Sequence, residues 1–212
     1  MDDVEEFVAG YRRFRAAYDP RDAARYRDLS ENGQAPHTMV IACSDSRVDP
    51  ATIFNAGPGQ LFVVRNVANL VPPYVPDADH HGTGAALEFA VTGLNVETIV
   101  VMGHCRCGGV RAFLESEDKQ STGQSFIDRW VSLLRPAHHA AVHQLADAPI
   151  EARQKALERH SIQVSIENLK TFPFIQDRVT AGTLRLRGAY FDIADGKLLV
   201  MDPDRGDFTP LT

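Results

Sequence analysis

The sequence Met39-Val-Ile-Ala-Cys-Ser-Asp-Ser-Arg47 combines a strand pattern with several chemically active side chains. Its first half is a short apolar run bounded by turn residues, which is typical of the last residues of a buried strand. The strand then opens into a thiol, a carboxylate and a guanidinium, at Cys43, Asp45 and Arg47, each separated by a serine. Because functional side chains collect at the carboxyl ends of parallel strands, we expect a functional site at this point.

A second strand-like run ends in the same way. Thr98-Ile-Val-Val-Met-Gly103 is followed by His104-Cys-Arg-Cys107-Gly-Gly. Two strand ends that deliver sulfur and imidazole nitrogen suggest a metal between them, with Cys43, His104 and Cys107 as candidate ligands. Zinc prefers these donors in tetrahedral geometry, and a catalytic zinc keeps only three protein ligands.

The same cysteines allow other interpretations. Cys105 and Cys107 are a possible redox pair, although they lack the two-residue spacer of thioredoxin-like motifs. Cys43 as a nucleophile with His104 as its base would define a thiol enzyme, but that arrangement leaves Cys107 without a role. A closed structural zinc site would take Asp45 or a histidine as its fourth ligand. A further possible metal group is a set of three histidines in one predicted helical segment, His138, His139 and His143.

Composition and charge exclude several classes of function. The chain has 212 residues, of which 44% are apolar and 24% charged, as in an ordinary globular protein with a sizeable core. Because the net charge is -6 and no basic block occurs, we expect neither a nucleic-acid partner nor a membrane-surface partner. The apolar runs are too short to span a bilayer, and the acidic start is unlike a secretory signal, so a cytoplasmic protein is expected. Three cysteines then favour metal binding or catalysis over a disulfide framework.

Strand and helix patterns continue on both sides of these two strands. The patterns predict helices over 2–18 and 21–30, a strand over 61–66, and a helix over 81–91 with Thr83 as a possible N-cap. They also predict a helix from Gly108, helical segments over 125–172 with breaks at Pro136 and Pro149, and a hairpin of strands 183–193 and 197–201 that turns at Asp195-Gly196. We therefore predict one α/β domain over residues 1–212, with a central, mostly parallel four-stranded sheet flanked by helices. A C-terminal antiparallel edge and an N-terminal helical arm of about residues 1–30 complete the prediction.

The two chemical stretches also carry a family resemblance. Cys43-Ser-Asp-Ser-Arg47, followed by Gly103-His-x-x-Cys107-Gly-Gly, resembles the double signature of the β-class carbonic anhydrases. Residues 61–74 and 82–89 are similar to the central segments of the plant-type branch of that family. The resemblance implies a β-carbonic anhydrase-like fold. It also implies a homodimer or a dimer-based higher oligomer, in which the N-terminal helix embraces the partner.

The resemblance assigns roles to particular residues. It implies Zn²⁺ bound by Cys43, His104 and Cys107, and reversible hydration of CO₂ to bicarbonate and a proton by attack of zinc-bound hydroxide. It places Asp45 beside the metal, held off it in the active state by a salt bridge to Arg47. It implies a substrate pocket built from Gln34, Phe62, Phe89 and the backbone N–H of Gly108, whereas Cys105 is a spectator.

Three further expectations accompany this assignment. Two thiolates and a neutral imidazole leave the zinc unit formally neutral, so bound water should ionise above about pH 7 and activity should rise with pH. A regulated branch of the family has a bicarbonate pocket of Trp, Arg and Tyr; Val40 stands at the Trp position and Arg65 at the Arg position, so we predict no bicarbonate-triggered switch. Hydrolysis of CS₂ or COS on the same scaffold, and a non-catalytic protein stabilised by structural zinc, are the alternative functions.

Overall fold

The chain divides into two compact units, with the boundary in the sequence between Ala35 and Pro36. The structure is a computed structural model that describes residues 3–76, 81–118, 125–142, 145 and 147–211. The N-terminal unit contains helices α1 (Asp3–Ala16) and α2 (Pro20–Asn32), which confirms both helix predictions to within two residues. The side chain of Asp19 caps α2, because it accepts hydrogen bonds from the first free N–H groups of that helix. A single domain with an arm of about residues 1–30 stays a prediction.

A six-stranded sheet is the centre of the second unit. Its strands are β1 (Thr38–Cys43), β2 (Leu61–Asn66), β3 (Thr98–His104), β4 (Arg185–Asp192), β5 (Lys197–Met201) and β6 (Phe208–Pro210), in the order β2-β1-β3-β4-β5-β6. The first four strands of this order are parallel, and β5 and β6 add an antiparallel edge. The predicted α/β class with a mostly parallel central sheet is confirmed, whereas β6 was not predicted.

Helices connect and cover these strands. They are α3 (Pro50–Ile53), α4 (Gly82–Glu88), α5 (Gly108–Asp118), α6 (Phe126–Val131), α7 (Arg135–Val142), α8 (Ile150–Leu169) and α9 (Pro173–Thr180). The prediction of Thr83 as an N-cap is wrong, because α4 begins at Gly82 with His81 in the capping position. The Thr83 hydroxyl instead lies 3.5 Å from Asn66 Nδ2 and accepts a tertiary hydrogen bond. None of the helices within the described ranges is long and apolar enough to cross a membrane.

The central position of β1 explains its continuous apolar sequence. Met39 and Ile41 enter the main core, which also contains buried residues of α4, α8 and α9. Val40 and Ala42 belong to a smaller cluster with residues of β3 and β4. A strand that is buried on both faces has no polar face, so its sequence lacks the alternation of an exposed strand. Cys43, at the end of β1, belongs to a third cluster formed mainly by helices α5 to α8.

Candidate metal centre

Two adjacent strand ends bring the three predicted ligands together. Cys43 is the last residue of β1 and His104 the last of β3, and these strands are parallel neighbours in register. Cys107 follows three residues later, directly before α5. The candidate ligand atoms of Cys43, His104 and Cys107 all lie within 4.8 Å of one another, and all three residues are buried. Within the described part of the chain this is the one group of three or more His, Cys, Asp or Glu residues with metal-site spacing.

The donor atoms fit a tetrahedral zinc ion. The two sulfur atoms are 3.9 Å apart, and zinc–sulfur bonds of about 2.3 Å at tetrahedral angles place two sulfurs about 3.8 Å apart. His104 is 1% exposed; its Nδ1 bonds the Cys105 carbonyl at 2.9 Å, whereas its Nε2 is buried without a hydrogen-bond partner. A buried imidazole nitrogen is costly to the fold unless it binds a metal ion or a hydrogen-bond partner.

The two thiols differ in their tendency to ionise. The hydrogen bond from Cys107 lowers the pKa of the Cys43 thiol to about 4, against the effect of burial, and His104 and the Ala68 N–H act in the same direction. The same hydrogen bond raises the pKa of Cys107, and burial adds to the effect. Burial disfavours the imidazolium of His104, but the Cys43 thiolate, the Cys105 carbonyl and the Asp45 carboxylate together outweigh burial and raise the pKa of His104. The centre is therefore prepared with one thiolate before any metal binds.

Asp45 and Arg47 form a two-pronged salt bridge beside the ligands. Arg47 donates from Nε to Asp45 Oδ1 at 2.9 Å and from Nη2 to Oδ2 at 2.7 Å, and its backbone N–H adds a bond of 3.0 Å. These hydrogen bonds hold the pKa of Asp45 well below its ordinary value. Asp45 Oδ2 lies 4.0 Å from His104 Nε2, so the carboxylate borders the ligand group while both of its oxygens remain bonded to Arg47. The salt bridge implied by the resemblance is present, and its role beside a metal stays a prediction.

The residues of the predicted substrate pocket lie in several parts of the structure. The rings of Phe62 and Phe89 contact each other, with 5.8 Å between their centroids, and Phe89 is 52% exposed. Gly108 is the first residue of α5, directly after the ligand Cys107, and the space beside its Cα is open. Gln34 is exposed and belongs to the N-terminal unit. The joint role of these four residues stays a prediction.

The other cysteine and histidine candidates lie outside the ligand group. Cys105 Sγ accepts the Ile193 N–H at 3.1 Å and contacts the Asp192 carboxylate at 3.6 Å, so its partners are at the end of β4. The ring of His138 packs edge-on against Phe113. The third residue of the histidine set, His143, lies outside the described residues.

Sequence reasoning missed the structural role of four residues that hold the loops of this centre. Arg65 on β2 donates to the carbonyls of Cys43 and Asp45, at 2.9 and 2.6 Å. On the other side, three buried residues, Gln154, Glu158 and Tyr190, form a hydrogen-bonded group behind the Cys107 loop. One signal for them was present in the sequence, because a glutamate and a glutamine four residues apart interrupt the apolar stripe of α8.

Fold and site together define an α/β protein with a buried Cys₂His group that could hold a metal ion, at the carboxyl edge of a parallel sheet. The sequence profile of the carbonic anhydrase family matches residues 38–198. A curated relative, beta carbonic anhydrase 3 of Arabidopsis thaliana, is 37% identical over 197 residues, which cover 92% of this chain and 76% of the relative. The chain belongs to the β-carbonic anhydrase family.

Solved structures of the family share the fold. The β-carbonic anhydrase CcaA superposes with a TM-score of 0.91 at 30% identity, over 100% of this chain and 93% of CcaA. One of two tetrameric β-carbonic anhydrases from Sordaria macrospora superposes with a TM-score of 0.79 at 28% identity, over 98% of this chain and 100% of that structure. The match extends over nearly the whole length of each chain, so the strand ends that carry the ligands belong to the shared fold.

Proposed function

We propose that the protein catalyses the reversible hydration of CO₂ to bicarbonate and a proton, with Zn²⁺ held by Cys43, His104 and Cys107. The observation that carries the proposal is the buried Cys₂His group beside the Asp45–Arg47 salt bridge, in a chain of the carbonic anhydrase family. The alternatives, CS₂ or COS hydrolysis and a non-catalytic zinc protein, have no feature of the site in their favour.

The metal and the protein residues would contribute separately to such a reaction. When bound, zinc acts as a Lewis acid that lowers the pKa of a coordinated water and supplies a hydroxide nucleophile near neutral pH. Cys43, His104 and Cys107 would hold the metal and would leave one position open for that chemistry. Burial of Cys43 and Cys107 excludes competing water from the ligand atoms.

Asp45 and Arg47 act as an orienting pair. Arg47 keeps the carboxylate ionised, because its hydrogen bonds stabilise the charged form. An ionised Asp45 accepts hydrogen bonds only, so it would orient a hydrogen-bond donor that lies beside the three ligands and thereby set how that donor faces CO₂. Since Arg47 also bonds the Arg106 carbonyl at 3.1 Å, the pair connects the two loops that carry the ligands.

The substrate pocket and the assembly belong to the same proposal. Phe62 and Phe89 would provide an apolar wall for CO₂, and Gln34 and the Gly108 N–H would bind the oxygens of bicarbonate. A homodimer or dimer-based oligomer is supported by exposed apolar residues on α1, Val4, Phe7, Val8, Tyr11 and Phe14, and by the tetrameric state of the Sordaria enzymes. A cytoplasmic location remains part of the proposal.

Stopped-flow measurement of CO₂ hydration tests the function. Zinc-loaded protein should accelerate hydration far above the buffer rate, and both chelation of zinc and the sulfonamide acetazolamide should abolish the acceleration. Parallel assays with CS₂ and COS as substrates should show little turnover. Turnover of CS₂ or COS without CO₂ hydration would favour the first alternative, and full zinc occupancy without any turnover would favour the second.

A further inference from the structure

The backbone of the ligand Cys107 is bonded on both sides by a single helix. Its N–H donates to Glu158 Oε1 at 2.9 Å, and its carbonyl accepts a hydrogen bond from Gln154 Nε2 at 3.1 Å. Gln154 Nε2 also donates to Glu158 Oε1 at 2.9 Å. These two residues of α8 are four positions apart, so they lie on one face of the helix and bond the two peptide groups that flank the Cα atom of Cys107.

The carboxylate of Glu158 is fixed in orientation as well as in place. Its other oxygen, Oε2, accepts a hydrogen bond of 2.7 Å from the Tyr190 hydroxyl on β4. Glu158 is 3% exposed and Tyr190 is fully buried. Burial of a carboxylate is costly, and here hydrogen bonds from three donors in three parts of the chain offset part of that cost. An apolar side chain would fill this space without that cost, but it would leave the Cys107 N–H without an acceptor.

The loop held by α8 has a backbone conformation that needs support. Arg106, directly before Cys107, has a φ of 55°, in the left-handed region that residues with a side chain rarely adopt. Its carbonyl accepts a hydrogen bond from Arg47 at 3.1 Å. The loop is therefore held by the Asp45–Arg47 pair through Arg106 and by α8 through Cys107.

We propose that Gln154, Glu158 and Tyr190 form a positioning network that sets the place of the Cys107 sulfur relative to Cys43 and His104. The network thereby determines how tightly and in what geometry the metal is held. None of its three residues contributes a ligand atom or forms part of the Asp45–Arg47 pair. The inference rests on the proposed metal-dependent function and adds to it the residues that shape the metal site from behind.

Four variants separate positioning from simple packing. Glu158→Leu removes the acceptor of the Cys107 N–H, whereas Glu158→Gln keeps an amide oxygen in the same place. Tyr190→Phe releases Oε2 and leaves Oε1 bonded. The matched control is Ser165→Ala, since Ser165 is equally buried on α8 but bonds the Val71 N–H, away from the metal loop.

Two measurements on the full-length protein read out the metal site without enzymatic activity. The first is the rate at which zinc-loaded protein transfers zinc to a chromogenic chelator. The second is the thiolate-to-metal charge-transfer absorption after substitution with Co²⁺. We expect Glu158→Leu to lose zinc about 10–100-fold faster than wild type and to alter the absorption band, as is typical when a group that orients a metal ligand is removed. Glu158→Gln should stay close to wild type, Tyr190→Phe should lie between, and Ser165→Ala should be unchanged.

Several outcomes would overturn the inference. Wild-type zinc retention and an unchanged Co²⁺ spectrum in Glu158→Leu would do so, and so would a Gln variant as impaired as the Leu variant. If Glu158→Leu does not fold, Gln154→Leu and Tyr190→Phe carry the test, and wild-type behaviour in both would refute the network. Wild-type protein that binds neither Zn²⁺ nor Co²⁺ would instead overturn the proposed function, and the inference with it.

Discussion

Replacement of Asp45 by asparagine isolates the role of the carboxylate from metal binding. The carboxylate accepts three hydrogen bonds from Arg47, at 2.7, 2.9 and 3.0 Å. An Asn side chain has the same size, but its NH₂ group is a donor and cannot pair with the donor Nη2 of Arg47. The variant therefore loses the charged acceptor and the fixed orientation of the Asp45–Arg47 pair, while all three metal ligands remain.

The size of the effect follows from this loss. Removal of one preorganised hydrogen-bonding group at a reacting centre costs about 10²–10³-fold in turnover, and we expect that decrease in kcat/KM for Asp45→Asn. Zinc content should stay at the wild-type level, because Asp45 is not one of the three ligands. Stopped-flow CO₂ hydration measures the first quantity, and metal analysis of the same samples measures the second.

A nearby carboxylate provides the control for Asp45→Asn. Asp49 caps α3 through a 2.9 Å hydrogen bond from the Thr52 N–H, and asparagine is an equally good cap. Asp49→Asn makes the same change of charge and should keep near-normal turnover. Retention of more than a third of the wild-type turnover in Asp45→Asn would refute the orienting role. Loss of zinc from that variant would show that Asp45 belongs to the metal site itself.

Three further predictions concern the same centre. At pH 6 the Cys43 thiol, whose pKa is lowered to about 4, is already ionised, whereas the raised pKa values of His104 and Cys107 keep both protonated. Zinc binding at that pH should therefore release about two protons, and zinc affinity should increase as pH rises. Calorimetry in buffers of different ionisation enthalpy measures the number of protons released. Release of three protons or of none would contradict this prediction. Arg65→Met removes hydrogen bonds to two loop carbonyls and should lower the free energy of unfolding of the metal-free protein by about 1–3 kcal/mol in urea titrations; an unchanged midpoint would contradict this role. Because Val40 replaces the tryptophan of the regulated branch, bicarbonate should inhibit hydration without cooperativity, and a sigmoidal inhibition curve would be evidence for a switch.

Elements defined by local apolar runs were predictable from the sequence. β1 and β3 are short apolar runs at the centre of the sheet, so their own residues were enough to predict two buried strands. The hairpin of β4 and β5 was predictable because Gly196 has a φ of 64° in its turn, which Asp195-Gly196 signals directly. β6 was missed because it has only three residues, includes a proline and lies at the edge of the sheet.

The residues of the site also differ in whether local sequence or a distant tertiary contact determines their role. Cys43, His104 and Cys107 were predictable because ligand chemistry and the order of strand ends are both visible in the chain. Glu158 was not, since its partner Cys107 is 51 positions away and the contact exists only after α8 packs behind the loop. Thr83 failed as a helix cap for a related reason, because its hydroxyl bonds Asn66 on a neighbouring strand. Local propensity gives way where a tertiary partner satisfies the same group.

Titration of metal-free protein with zinc during a CO₂ hydration assay tests the central claim most directly. The claim is that one zinc ion, held by Cys43, His104 and Cys107, supports hydration of CO₂. Activity should be absent without metal, rise in proportion to added zinc and reach a plateau at one equivalent per chain. Full hydration activity in protein shown to be free of metal, or no activity after one equivalent has bound, would contradict the claim.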